Sequence, residues 1–143
     1  MFFKNNVHSE SSGFTLIEML VVVAIIGILS ATVLSALGPA RNKAKDARIV
    51  SDVNQVRAIA ETLYDPGSSS PYSNVKTTET NISKISTDIT NQGGALVITL
   101  NPTTAYAAYS KLASDSSKYY CVDSAGTTKT ETTEPGNSAT TCP

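Results

Sequence analysis

The chain contains no tryptophan, one histidine (His8) and two cysteines (Cys121 and Cys142), and only 16% of its 143 residues are charged. One imidazole disfavours a histidine-ligated metal site and a histidine-based catalytic triad, and two cysteines do not make a zinc ribbon. So few charges argue against charge-driven disorder. With 11 Lys+Arg against 12 Asp+Glu, the net charge of -1 also argues against a nucleic-acid binder held by bulk charge. The length suits one domain, or one small domain with an appendage.

What is present is unevenly spread. Met19 to Ala40 is a run of 22 residues without a single charge, roughly 33 Å as a helix and enough to cross a hydrocarbon core of about 30 Å. Beyond it the chain turns polar: the 78 residues from Pro66 to Pro143 hold 12 Ser and 15 Thr. The pattern predicts a greasy N-terminal segment joined to a Ser/Thr-rich head. The segment before the run, MFFKNNVHSESSG, differs from a secretory signal peptide, in which a small-residue cleavage site follows the apolar stretch. Here the small residue, Gly13, precedes it, so a cut after Gly13 would leave the apolar helix on the mature protein. An uncleaved membrane anchor is the plainer alternative.

The residues Gly13-Phe14-Thr15-Leu16-Ile17-Glu18, followed directly by an apolar helix, resemble the processing site of type IV pilins and type II secretion pseudopilins. The resemblance is close from Gly13 to about Ala40 and looser to Tyr64. It implies a leader, residues 1–13, removed by a prepilin peptidase between Gly13 and Phe14, and N-methylation of Phe14 by the same enzyme. It implies further a helix over 14–40 that spans the membrane and later forms a filament core, an amphipathic continuation over 41–65, and a head over 66–143. The implied fold is α+β and pilin-like, a long N-terminal helix with a small antiparallel sheet. One departure from the family is that the helix-breaking proline found earlier in many type IV pilins is missing. Ser35 lies in that region, and the Gly38-Pro39 pair is the candidate kink.

Glu18 is the one acid beside the apolar run. A carboxylate at the centre of a membrane helix costs about 2.5–3.5 kcal/mol. Glu18 lies only four residues inside the expected new N-terminus, so in a lone subunit it can reach the headgroups. Packed among many apolar helices, it must be neutralised or paired. The nearest basic side chains are Lys4, on the leader, and Arg41. The remaining cation is the amino group that cleavage would free on Phe14. The resemblance implies that this amine meets the Glu18 of a neighbouring subunit and sets the axial register. The plainer alternative for Glu18 is an interfacial acid at a helix start, favoured by the helix dipole.

Past the run, Arg41, Lys43, Lys45 and Arg48 form a basic collar offset only by Asp46, suited to a solvated face or to anionic headgroups. Counted by the positive-inside rule, these four residues against Lys4 would keep the head in the cytoplasm. The cleavage motif and the cysteine pair point outward. Ile49, Val53, Val56, Ala60 and Leu63 follow at gaps of 4, 3, 4 and 3, one helical stripe that would pack against the head. Asp65-Pro66-Gly67 should end the helix, and Ser68–Pro71 reads as a loop. In the head, Ile82, Ile85 and Ile89 predict a short helix. Ala95–Leu100 predicts a buried strand stopped by Asn101-Pro102, and Ala105–Leu112 a strand or a helix. Lys118–Asp123 and Thr127–Glu131 predict two strands around a Ser124–Gly126 turn. Cys121 and Cys142 would close a C-terminal loop as in many type IV pilins, worth roughly 3 kcal/mol. Two free thiols are the alternative.

The remaining signals are weak. Asn81-Ile82-Ser83 fits a glycosylation sequon. Asp115, Asp123, Glu131 and Glu134 could hold calcium but lack dense ligand spacing. Tyr106, Tyr109, Tyr119 and Tyr120 suit strand packing better than a nucleic-acid stacking face. No enzyme activity, cofactor or metal is expected. The expected function is that of a structural subunit of a type IV pilus or pilus-like filament. Its partners would be copies of itself, the prepilin peptidase, an assembly platform with its ATPase, and membrane lipid before assembly. Its head would lie outside the cytoplasm, and nucleic acid would be a partner only for a DNA-uptake pilin. A type II secretion pseudopilin and a single-pass anchored binding module are the alternatives.

Overall fold

The computed structural model describes residues 13–100, 104–136 and 138–143. Residues 1–12 of the expected leader, with Lys4 and His8, and the Asn101-Pro102 strand stop lie outside the described residues. The chain divides between Gly38 and Pro39 into two units. The elements are two helices, α1 (Leu16–Thr62) and α2 (Thr80–Asn91), and four strands, β1 (Leu96–Leu100), β2 (Tyr106–Lys111), β3 (Tyr119–Asp123) and β4 (Thr128–Glu131). This is the expected α+β arrangement.

The first unit is the apolar part of α1. Its large apolar side chains surround the helix on all sides, so no face is kept for a core within its own chain. Two of the hydroxyls that interrupt the run bond back to the helix: Thr32 donates to the Leu29 carbonyl at 2.8 Å and Ser35 to that of Thr32 at 3.2 Å.

The second unit is built on the other part of α1. Ile49, Val53, Val56 and Ala60 are fully buried, as their spacing predicts, and Leu63 is half-buried against them. They form one core with Ile82, Ile85 and Ile89 of α2 and with Leu96, Tyr106, Ala108 and Val122 of the sheet. α1 stops at Thr62, and the Asp65 carboxylate accepts the Gly67 N–H at 3.0 Å in a tight turn. α2 starts on the Glu79 carboxylate, which accepts the N–H groups of Asn81 and Ile82, both at 2.9 Å. It ends in a Schellman motif. The Gly93 N–H reaches the Thr90 carbonyl and the Gly94 N–H that of Ile89, both at 2.9 Å, with Gly93 at φ +93°. A Cβ on Gly94 would lie 2.6 Å from Ser110 Oγ and 2.7 Å from Ile89 Cγ2. Only glycine lets the chain leave α2 and enter β1 at this closeness.

The sheet is antiparallel throughout, in the order β1-β2-β3-β4. The segment Ala105–Leu112, open between strand and helix from sequence, is strand β2. Alternation along the strands sends Leu96, Ile98, Tyr106, Ala108 and Val122 into the main core. The opposite face carries Val97, Ala107, Tyr109 and Cys121, and a second cluster forms there around Cys142. The C-terminal segment therefore crosses the outer face of the sheet. The Cys121–Cys142 disulfide holds it, with Cα atoms 5.8 Å apart. Beside the disulfide, the Cys142 N–H donates to Asp123 Oδ2 at 2.9 Å, and the Thr99 hydroxyl donates to the Ala139 carbonyl.

Candidate assembly site on the N-terminal helix

The local sequence sets where the helix begins. Gly13, Phe14 and Thr15 are not helical, and α1 starts at Leu16. Thr15 stands at the N-cap and Glu18 at the third helical position, the spacing of a capping box. The box is formed: the Glu18 N–H donates to the Thr15 hydroxyl at 3.3 Å. The Thr15 N–H and Thr15 hydroxyl both donate to Glu18 Oε2, each at 2.8 Å. Glu18 thus has a neutral partner in its own chain, beyond the charged one that sequence reasoning supplies. The T-x-x-E spacing carries this signal, but the isolation of the acid beside an apolar run draws attention to its charge instead. The Glu18 Oε1 atom makes no hydrogen bond among the described residues. Gly13 and Phe14 are exposed, and the peptide that joins them lies outside the helix.

From Phe14 to Leu37 every large apolar side chain is exposed, from 40% at Leu37 to 83% at Leu16. Isolated apolar residues on a surface are ordinary, but a continuous sleeve of them has to be covered by lipid or by protein. A Cβ at Gly27 or Gly38 would meet nothing within 4 Å, so nothing packed within the chain requires glycine there. Pro39 lies inside α1, where it removes one backbone donor.

The other singled-out residues have structural tasks. Asp123 is buried, and its Oδ1 accepts the N–H groups of Ala125 and Thr127 at 3.0 and 2.8 Å, which shapes the β3–β4 turn. The Asp115 carboxyl is held below the usual range by the Ser117 hydroxyl and N–H. Among the described residues no three acidic, histidine or cysteine side chains gather as a metal site would need. Tyr106 and Tyr109 are buried, and burial pushes both phenols up in pKa. Tyr72 packs edge-on against Tyr106, and Tyr109 against Tyr119. Asn81 opens α2 with Ile82 buried beside it, so the sequon is helical backbone. Asp46, read from sequence only as an offset to the basic collar, ties down a loop. It accepts the N–H groups of Ala113 and Ser114 at 2.7 and 3.0 Å, and the Ser114 hydroxyl as well. Nothing in its local sequence marks that distant contact.

Comparison with known proteins bears on the helix. Residues 9–34 match the family model described as the prokaryotic N-terminal methylation motif. Two sequences of the type IV major fimbrial protein FimA of Dichelobacter nodosus are each 39% identical to the chain over 59 residues. Those 59 residues are 41% of this chain and 38% of each relative, so the chain spans about two-fifths of the length of the curated relatives it matches. No solved structure matches the chain. Its N-terminal segment carries the methylation motif, and its α+β arrangement is pilin-like.

Proposed function

We propose that the chain is the precursor of a type IV pilus subunit. A prepilin peptidase cuts between Gly13 and Phe14, removing residues 1–13, and methylates the new amino group of Phe14. Residues 14–40 anchor the precursor in the cytoplasmic membrane and then become the filament core. Residues 41–65 continue the helix as an amphipathic segment against the displayed head, 66–143, which lies outside the cytoplasm and then on the surface filament. An assembly platform with its ATPase drives the transfer. The observation that carries this reading is a wholly exposed apolar helix that opens on the methylation motif. Lipid and then neighbouring helices are what such a surface fits. The fimbrial relatives support a pilin-like filament subunit, and the Cys121–Cys142 loop leans the reading toward a pilus rather than a secretion pseudopilin.

Thr15 holds one oxygen of Glu18 and so orients the other toward a neighbour's Phe14 amine, the contact that sets register. Gly38-Pro39 is the point at which the helix gives. Mass spectrometry of sheared surface filaments tests the reading: this chain should be their main protein and begin at a methylated Phe14. Recovery of a membrane-bound monomer still carrying Met1 would refute it. Glu18→Ala should leave membrane insertion intact and cut filament yield at least tenfold, measured as sheared protein per cell. Normal filament yield would remove Glu18 from the assembly contact.

A further inference from the structure

Five cations gather where the second unit receives the chain from the apolar run. Arg41, Lys43 and Lys45 are exposed on α1, and none makes an ion pair among the described residues. Against the five cations, Asp46 and Asp115 are the two acids at this end, an excess of positive charge, and Asp46 turns its carboxylate to Ala113 and Ser114 rather than pairing with a cation. That contact draws the β2–β3 turn to the same end, and Lys111 and Lys118 flank the turn. Lys118 meets only Asp115, at 3.4 Å with both side chains about half exposed, a pair that solvent screens. Arg48 does not belong to this group, because Asp88 holds it at 2.7 Å.

We propose that this end of the second unit docks on a layer of anionic lipid headgroups while the precursor is held in the membrane, a step that rests on the membrane anchoring argued above. Depth fits this partner. The uncharged run is roughly as long as the hydrocarbon core is thick, and Arg41–Lys45 adds roughly 6 Å of rise, within the headgroup zone. The distribution of charge fits it too. Successive helical positions turn by roughly 100°, so Arg41 and Lys45 lie near one side of the helix and Lys43 near the other. A ring of charge suits a layer that surrounds the helix. A nucleic acid or an acidic protein lying alongside would call for a one-sided stripe. Docked in this way, the head is oriented before assembly, and extraction of the subunit has to break the contact.

The test uses the full-length precursor in nanodiscs of phosphatidylcholine, with and without phosphatidylglycerol, and a nitroxide-headgroup lipid in each. The amide signals of residues 113–118 should broaden in the anionic bilayer, much less in the neutral one, and recover at high salt. Lys43→Gln, Lys45→Gln and Lys118→Gln should each lower the docked-to-free ratio roughly fivefold. Lys76→Gln and Lys84→Gln, exposed elsewhere on the second unit, should not lower it. Equal broadening in both bilayers overturns the docking and leaves the membrane anchoring intact, and so does an equal effect of the two control lysines. A precursor that fails to co-float with vesicles overturns the anchoring itself, and the docking with it.

Discussion

One helix contains two kinds of apolar surface. Before Pro39 the apolar side chains surround α1 and are exposed, whereas after it they fall on one stripe and Ile49, Val53, Val56 and Ala60 are fully buried. Secondary structure is the same in both, so it is the distribution of apolar residues that separates a segment meant for other molecules from one meant for its own core. The first is recognised by having no intramolecular partner, the second by having a complete set.

The same substitution placed in each region should therefore fail in different assays. Val53→Asp buries an unpaired carboxylate in the core, an exceptional cost of about 4 kcal/mol or more. It should abolish the cooperative thermal unfolding of the head, followed by near-ultraviolet circular dichroism. Leu29→Asp, near the middle of the exposed run, should leave that transition where it is. Its cost of about 2.5–3.5 kcal/mol should appear in membrane insertion, measured by flotation with vesicles. Equal loss of head stability in both variants would show that the two regions are not separate.

The sheet has a comparable division between its inner and outer faces. The inner face is held by many apolar contacts and the outer face by a strap fixed at a few points. Replacing Cys121 and Cys142 with serine should cost about 3 kcal/mol, the loop-closure value for a loop of this length. In that variant the amides of 138–142 should lose hydrogen-exchange protection before those of β2 and β3 do. Uniform loss across all strands would mean that the strap is no weaker than the core.

This division also separates what was legible in the sequence from what was not. The stripe from Ile49 to Ala60 and the Ile82–Ile89 helix are written in periodicity, because each buries one continuous face, and β1 and β3 in short β-prone runs bounded by turn residues. β2 was ambiguous because Tyr106 to Ser110 are buried on both faces, so no alternation remains to be seen. The burial of the second face comes from the C-terminal strap, whose Thr-rich sequence has no period. Its hold depends on single contacts from Asp123, Thr99 and Cys142. At the candidate site Gly13, Phe14 and Glu18 stood out by type and spacing. Asp46 did not, because its partners are 67 and 68 residues away.

Gly94 tests how tightly the second region is packed. An added methyl would approach Ser110 Oγ and Ile89 Cγ2 well inside contact distance, with Ile49 Cδ1 at 3.2 Å behind them. Gly94→Ala should cost about 1–3 kcal/mol by overpacking, read as a lower midpoint in urea with an unchanged slope. The same change at Gly27, where a Cβ meets nothing in the chain, should not move the midpoint.

The smallest effect concerns the acids of the two regions. Glu18 is exposed and capped, whereas Asp52 is 4% exposed, with Gln55 donating to Oδ1 and Oδ2 left without a partner. Burial first, and then the charge of Asp88, hold the Asp52 carboxyl above its usual range, although Arg48 pulls the other way. Asp88 is held below its usual range, first by its hydrogen bond from Arg48. The folded state therefore keeps a proton on Asp52 at pH values where the unfolded chain has released it. Stability from this group is full below the unfolded pKa and is lost as pH rises through the folded one. Asp88 contributes in the opposite sense, losing its stabilisation as pH falls through its own lowered value. Asp52→Asn fixes the neutral form and removes the buried charge. It should raise stability at neutral pH by about 1 kcal/mol and flatten the decline that sets in above the unfolded carboxyl's pKa, measured by urea unfolding across pH. A variant less stable than wild type at neutral pH would mean that Arg48 favours the Asp52 carboxylate more than burial and Asp88 disfavour it.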